Sequence, residues 1–518
     1  MGKDAAEIRQ EFQTRLGQIA RDLSRELYPN GMPRGTKFSE LEDVAGALGD
    51  EMARQLIELN VQEQADDWPE EELGECPVCG GATSPGKNES PIAPAVGGLF
   101  SPQDHALGVD RSSLSPRVQQ KVVHAGVNSV SYEQASRDLA ELADLNVKPK
   151  PVERLVKRIG RERNDQRDAA VAVHRRLPLM DKDVVADPKR SCPQVAMVSV
   201  DGGRLQIRSE PSEPNQDSHW RESKVAVLET YQSEVHEADP DPHLPRCFLD
   251  LKRTKEMVRG LGHTLPVGLE FGAENKTGKQ DEAAKKGRDR VARPGRPKRL
   301  VRSVLASRKC AEEFGPMVHQ AAWERNFFGA KRQAFLGDGL PVNWAIQRRH
   351  FASFTAVLDF VHALSYIFAA AFAGRPQGEG VEVYKRWIQA VWSGQVTSIL
   401  PELEERSTEL GLPPSECADS DPRKLVFESL RYLKNNAERM RYDYYRRQGL
   451  PIMTSAVESV IKMINKRVKG SEKFWSEPGA EAILQLRADY LSETETMSRF
   501  WLARESTASG FRPYRRAA

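Results

Sequence analysis

Apolar and polar positions alternate along this chain with several distinct periods, and each period predicts an element. Residues 1 to about 70 carry apolar positions at helical spacing, broken at Pro29-Asn30-Gly31. A Gly-, Pro- and Ser-rich stretch then runs to about residue 100 and reads as loop. Three short helical patterns follow between 114 and 163, beginning SPRVQQ, SYEQAS and PVERLV. Ser131 sits where the second needs an N-cap, with Gln134 at the capping-box position. Residues 194–201 (QVAMVSVD) are apolar and β-branched, as a buried strand requires, and HWRESKVAVLETY predicts one or two more strands. A helical pattern near 252–260 and a short strand pattern at 332–338 (RQAFLGD) come next. Beyond Asp338 the pattern is helical almost to the end, with breaks near 374–380, 411–422 and 449–453. The apolar run from Val357 to Gly374 approaches membrane-span length but contains Asp359 and His362, so it predicts a buried helix rather than a span.

Composition narrows the class without naming it. The chain has 518 residues, 39% hydrophobic and 29% charged, which suits a globular protein of about three domains. Its 76 basic and 74 acidic residues nearly cancel, so a nucleic-acid signal has to be local. One such signal lies between Lys285 and Lys309, with eleven Lys or Arg against the single acid Asp289. Within it, Arg293-Pro-Gly-Arg296-Pro-Lys298-Arg299 resembles an AT-hook, which lays arginines into a narrow minor groove; a solvated basic loop has the same composition. A second signal is the third short helix, whose Arg154, Lys157 and Arg158 follow two helices and a tight turn, as in a helix-turn-helix; a plain three-helix packing unit reads alike. The six cysteines contain only one close pair, and with no apolar leader the expectation is a reduced cytoplasmic protein.

Three carboxylates carry the candidate chemistry. Asp201 and Asp338 each end a strand pattern and are followed by glycine, which puts a fixed carboxylate beside open backbone. Oxygen-rich sites of this kind bind hard divalent cations, although Asp-Gly also simply makes turns. Glu458 lies in TSAVESVIKMINKRVKG, where Val457, Ile461, Ile464 and Val468 form an apolar stripe and Glu458, Lys462, Lys466 and Lys469 another face. A metal ligand in line with phosphate-holding lysines and an ordinary i,i+4 Glu–Lys pair both fit that spacing.

Taken together, Val198-Ser-Val-Asp201-Gly-Gly, Phe335-Leu-Gly-Asp338-Gly with Trp344, Leu358-Asp359-Phe-Val-His362, and a block from Tyr445 to Arg487 resemble the DDE transposases of bacterial insertion sequences. That last block contains Gly449-Leu-Pro, Ala456-Val-Glu458-Ser, Lys466-Arg467 and Trp475. The likeness is nearest to the ISKra type, more distant to Mutator-like transposases, and runs from about 110 to 490. It implies an α/β RNase H-like core of the retroviral integrase type, preceded by a mostly helical N-terminal region with a helix-turn-helix. It further implies catalysis by Asp201, Asp338 and Glu458, which would hold two divalent ions (magnesium or manganese), Asp201 bridging both. Asp359 and His362 match a signature found near that site. DNA contacts would come from Arg154, Lys157, Arg158, Arg293, Arg296, Lys298, Arg299, Lys462, Lys466, Arg467 and Lys469. The partners would be double-stranded DNA, as transposon terminal repeats and target, and a second copy or more of the chain, with no membrane. The interval of 120 residues between Asp338 and Glu458 exceeds a bare core, so a helical insertion is expected after about 370.

The implied organisation is an N-terminal helical region (1–74), a degenerate zinc-ribbon-like segment and linker (75–109), a helix-turn-helix domain (110–185), a first part of the core (186–372) with a basic loop at 275–309, a helical insertion (373–445), a closing part of the core (446–495) and a tail (496–518). Two departures from the family pattern stand out. Cys76 and Cys79 lack the second CxxC that would complete four ligands, so zinc is not expected. The approach to Glu458, usually glycine-rich, reads Met453-Thr-Ser-Ala456. An inactive or domesticated DNA-binding relative is the alternative they raise.

Overall fold

The computed structural model describes residues 5–34, 36–66, 114–208, 219–271, 295–453 and 455–506. Cys76, Cys79 and Arg293 lie outside the described residues. The chain divides into two compact units, Met1–Ser113 and Leu114–Ala518. In the first, helices α1 (Ala5–Leu27) and α2 (Phe38–Asp66) take up the two apolar periodicities on either side of Pro29-Asn30-Gly31.

The second unit opens with α3 (Pro116–Asn128), α4 (Tyr132–Ala143) and α5 (Pro149–Arg176). The Ser131 hydroxyl accepts from the Gln134 amide at 3.0 Å, as the capping pattern predicts. The Gln134 side chain donates to Asp138 instead of turning back to the cap, so only half of the box forms. Asp144 ends α4 in the left-handed region. The third helix is longer than its pattern, which ends at Arg163. It continues because Arg163 and Arg167 find carboxylates elsewhere in the fold and become interior residues.

A six-stranded mixed sheet forms the centre. Its strands are β1 (Val195–Ile207), β2 (Trp220–Gln232), β3 (Lys298–Ser307), β4 (Arg332–Gly337), β5 (Thr355–Leu358) and β6 (Phe474–Trp475), in the order β3-β2-β1-β4-β5 with β6 on the far end of β1. β2 runs antiparallel to both of its neighbours, β1 and β3, whereas β4, β5 and β6 run parallel to their partners. Val195 to Val200 are buried without alternation, as a strand covered on both faces must be. One buried cluster joins the sheet to the helices that follow β4 and β5. A second joins it to α3, α4, α5 and the C-terminal helices.

Apart from short helical turns, the remaining elements are α6 (Leu251–Gly260), α7 (Ala311–Glu324), α8 (Pro341–His350), α9 (Phe360–Phe372), α10 (Gln377–Trp392), α11 (Val396–Leu410), α12 (Pro422–Asn436), α13 (Ser455–Val468), α14 (Glu477–Leu491) and α15 (Thr496–Ser506). Helices α10 to α12 occupy the stretch where an insertion is expected. Three expectations need correction. The run from Val357 to Gly374 is not one helix: β5 ends at Leu358, and Asp359 caps α9 by accepting from the Val361 and His362 amides. The second half of the basic loop 275–309 is strand β3, because Val301, Val304 and Leu305 pair with β2. The tail begins as helix α15, which buries Met497, Phe500 and Trp501. Among the described residues no helix is long and apolar enough to cross a membrane.

Candidate functional site

The site grows from the point where β1 outruns β4. Their last pair is Val200 with Gly337, so Asp201 and Asp338 are the next residues on two neighbouring parallel strands. Asp338 therefore leaves the carboxyl end of β4, where open α/β sheets form their ligand crevices, whereas Asp201, expected to end its strand, lies inside β1, which runs on to Ile207 because β2 continues to pair with it. Both acids line a cavity of about 1140 Å³ together with His263, Trp344, His362, Tyr366, Tyr432 and Glu458. Arg348, Arg431, Arg439, Lys462 and Asn465 complete its charged and polar walls.

Each acid is held differently. Asp201 Oδ1 accepts from the Gly202 amide at 2.6 Å. Burial, and then the charge of Asp338, push its carboxyl up to about 6. Asp338 Oδ1 accepts from the Leu340 amide at 3.0 Å and from Asn343 Nδ2 at 2.8 Å, so one oxygen is pinned by the loop and the first turn of α8. The Asn343 amide also reaches the Val200 carbonyl at 3.3 Å, tying the ends of both strands together. Behind the loop, the Tyr432 hydroxyl donates to the Asp338 carbonyl at 2.6 Å. Glu458 enters from α13, half-buried, and burial followed by the charge of Asp359 raises its carboxyl. Lys462 Nζ stands 3.9 Å from it across one helical turn.

Asp359 and His362 are brought to the same cavity. The Asp359 amide bonds the Gly337 carbonyl at 2.8 Å, anchoring the start of α9 to the end of β4. His362 Nδ1 lies 3.1 Å from Asp359 Oδ1. Burial pulls the imidazole down, but the hydrogen bond and charge of Asp359, with Asp338 and Asp201 beyond, overturn this and raise it to about 9. When protonated, this imidazole places a positive charge among the acids.

The donor set is all oxygen and its charges repel, which is the chemistry a hard divalent cation would relieve. Among the described residues no three His, Cys, Asp or Glu side chains converge closely enough to enclose an ion. The three acids face a common cavity as separate groups.

The expected DNA-contacting residues divide. Arg154, Arg296, Lys298, Lys462, Lys466 and Lys469 are exposed. Lys157 pairs with Glu153 at 2.6 Å, Arg158 donates to Gln119, and Arg299 is paired with Glu493 across from β3. Arg467 is a correction: it is 3% exposed, wedged between the Tyr132 and Trp475 rings, and donates to the Gly126 carbonyl. It fastens α3 and α4 to α13 and is not open to DNA. The apolar stripe of α13 also shifts, since Val460 takes the interior place expected of Ile461, which lines the cavity instead. Sequence reasoning missed Asn343, Tyr432 and the cavity arginines. Only Asn343, five residues after Asp338 at a Pro-started helix, had a local signal. No family model and no curated protein sequence matches the chain.

Proposed function

We propose that this chain is a metal-dependent polynucleotidyl transferase with an RNase H-like core. Within that class we read it as a DDE transposase of bacterial insertion sequences, resembling the ISKra type, which binds transposon ends and catalyses strand cleavage and strand transfer. The observation that carries the reading is the placement of Asp201 and Asp338 side by side just past the last β1–β4 pair, with Glu458 facing the same cavity from a C-terminal helix. The strand order with three antiparallel and two parallel members supports the core, and the helical stretch between β5 and α13 matches the expected insertion.

Asp201, Asp338 and Glu458 would hold the divalent ions, which when bound polarise the phosphodiester and lower the pKa of a water or hydroxyl nucleophile. The chain's own contribution is positioning. Asn343 fixes the Asp338 carboxylate, Asp359 fixes the His362 ring, and that ring, when protonated, offsets part of the acid charge. Exposed Lys462, Lys466 and Lys469, with Arg154 on α5, offer phosphate contacts to duplex DNA. Bringing two transposon ends together calls for a dimer or larger assembly.

The test is incubation of the purified protein with its element's terminal DNA and magnesium, beside Asp338→Ala. Nicking at the transposon end by wild type and not by the variant is expected. DNA binding without cleavage in magnesium or manganese would refute the enzyme and leave a DNA-binding relic of the same fold.

A further inference from the structure

The acids occupy one part of the cavity, and elsewhere its wall carries cations that the proposed reaction leaves unused. Arg348, near the end of α8, is exposed and has no hydrogen-bond or ion-pair partner among the described residues. Arg439 is half-buried, its guanidinium 4.7 Å from the centre of the buried Trp344 ring, and it donates to the Asn435 carbonyl at 2.9 Å and to Asn436 at 3.3 Å. Both guanidiniums line the same cavity, and burial, then the charge of Arg348, lower the pKa of Arg439, with Glu438 opposing. Glu428 also lines the cavity, on α12 with Arg431. Two like charges kept together, one of them pinned on an aromatic face, are relieved by an anion. Arginine matches phosphate by paired N–H donors.

Scale selects the anion. Arg348 lies seven residues along α8 from Pro341, about 10 Å at 1.5 Å per residue. The cavity volume of about 1140 Å³ lies just above the roughly 300–1,000 Å³ of small-molecule sites and suits a few nucleotides of one strand, not a duplex.

We propose that Arg348 and Arg439 form a phosphate-binding pair that holds the backbone of a single DNA strand beside the phosphodiester at the carboxylates. The pair rests on the transposase reading for its ligand, and it assigns strand binding to the segments that flank the acids rather than to the exposed lysines of α13.

Fluorescence anisotropy of the full chain with a short, labelled, mixed-sequence single strand tests this, from about 50 to 200 mM salt without divalent metal. Arg348→Ala combined with Arg439→Gln is expected to flatten the slope of log affinity against log salt by about 1.4, at about 0.7 for each phosphate no longer neutralised. Arg348→Glu alone, at an exposed and unpartnered position, is expected to weaken binding more than tenfold at the low-salt end (on the order of two such phosphates), and unchanged far-ultraviolet circular dichroism shows that it folds. Wild-type slopes in both arginine variants, or no strand binding by the wild type, overturn the proposal. A wild type that nicks terminal DNA while the arginine variants bind normally removes the pair and leaves the transposase reading. A wild type that never nicks, with slopes flattened in the variants, removes the transposase reading and leaves the pair.

Discussion

At the residue scale the loop after β4 shows how tightly the site is built. Gly339 has φ +97°, and a Cβ there would lie 2.5 Å from the Tyr432 ring, whose hydroxyl holds the Asp338 carbonyl. Gly339→Ala is therefore strained in backbone and in space, and about 1–3 kcal/mol of stability should be lost. Cleavage should fall further than stability, because the carboxylate moves; urea unfolding beside the nicking assay separates the two. The charge balance makes a second expectation. Asp201 is held up near 6 by burial and by Asp338, so a cation between them stabilises the fold as well as the chemistry. Magnesium at about a hundredfold excess over its Kd should add about 2.7 kcal/mol. Thermal unfolding midpoints that rise with magnesium in the wild type but not in Asp201→Asn would show it, and equal shifts in both would place the ion elsewhere.

At the scale of elements, the seam between α5 and α14 explains why the helices before the sheet belong to one unit with it. Gly160 lets the two helices touch, since a Cβ there would come within 2.6 Å of the Ala482 side chain. Beside it Arg163 Nε donates to Asp489 Oδ2 at 2.9 Å, with both side chains nearly shielded from water. Arg167 reaches Glu481 and Gln485 one turn further along. Removing one member of a buried pair strands the other charge. Asp489→Ala should accordingly cost about 3–5 kcal/mol, read as a lower urea midpoint, and a loss below about 1 kcal/mol would mean that Arg163 reaches solvent. The basic residues of α5 thus serve two ends: Arg154 faces outward near its start, while Arg163 and Arg167 lock it down.

For the whole molecule, a histidine cluster built from three separate helices contributes to acid stability. His174 of α5, His319 of α7 and His350 of α8 pack together, with ring centroids 5.0 Å apart for the first pair and 6.0 Å for the second. Burial holds His174 and His350 down to about 4 and also lowers His319, although Asp183 at 3.1 Å pulls the latter upward. An unfolded histidine titrates near about 6.5. The unfolded chain therefore takes up protons first. The stabilising contribution is complete above about 6.5 and is lost as pH falls towards about 4. Neither ring nitrogen of His174 has a hydrogen-bond partner among the described residues. His174→Phe should hold the neutral-pH midpoint and flatten the decline between about 6.5 and 4; an unchanged decline would exclude His174 as its source.

The sequence by itself determined what local chemistry can encode. The unalternating run before Asp201, the strand before Asp338, the Ser131 cap and the helical stretch beyond β5 were legible, because backbone period and capping act within a few residues. The Asp-Gly at 338 marked a true strand end for the same reason, whereas Asp201 and its glycines lie inside β1, because β2 goes on pairing with them. Legibility failed where a segment's fate depends on distant partners. The apolar run from Val357 breaks at Asp359 because β4 offers a neighbouring strand and the Gly337 carbonyl. The basic run becomes β3 because β2 presents an open edge. Arg467 looks like a surface cation until Tyr132 and Trp475 close over it. Tertiary structure alone decided that Asn343, Tyr432, Arg348 and Arg439 surround the acids. Residues about a hundred positions apart share a cavity only once the sheet has set strand order, and no local pattern carries that order.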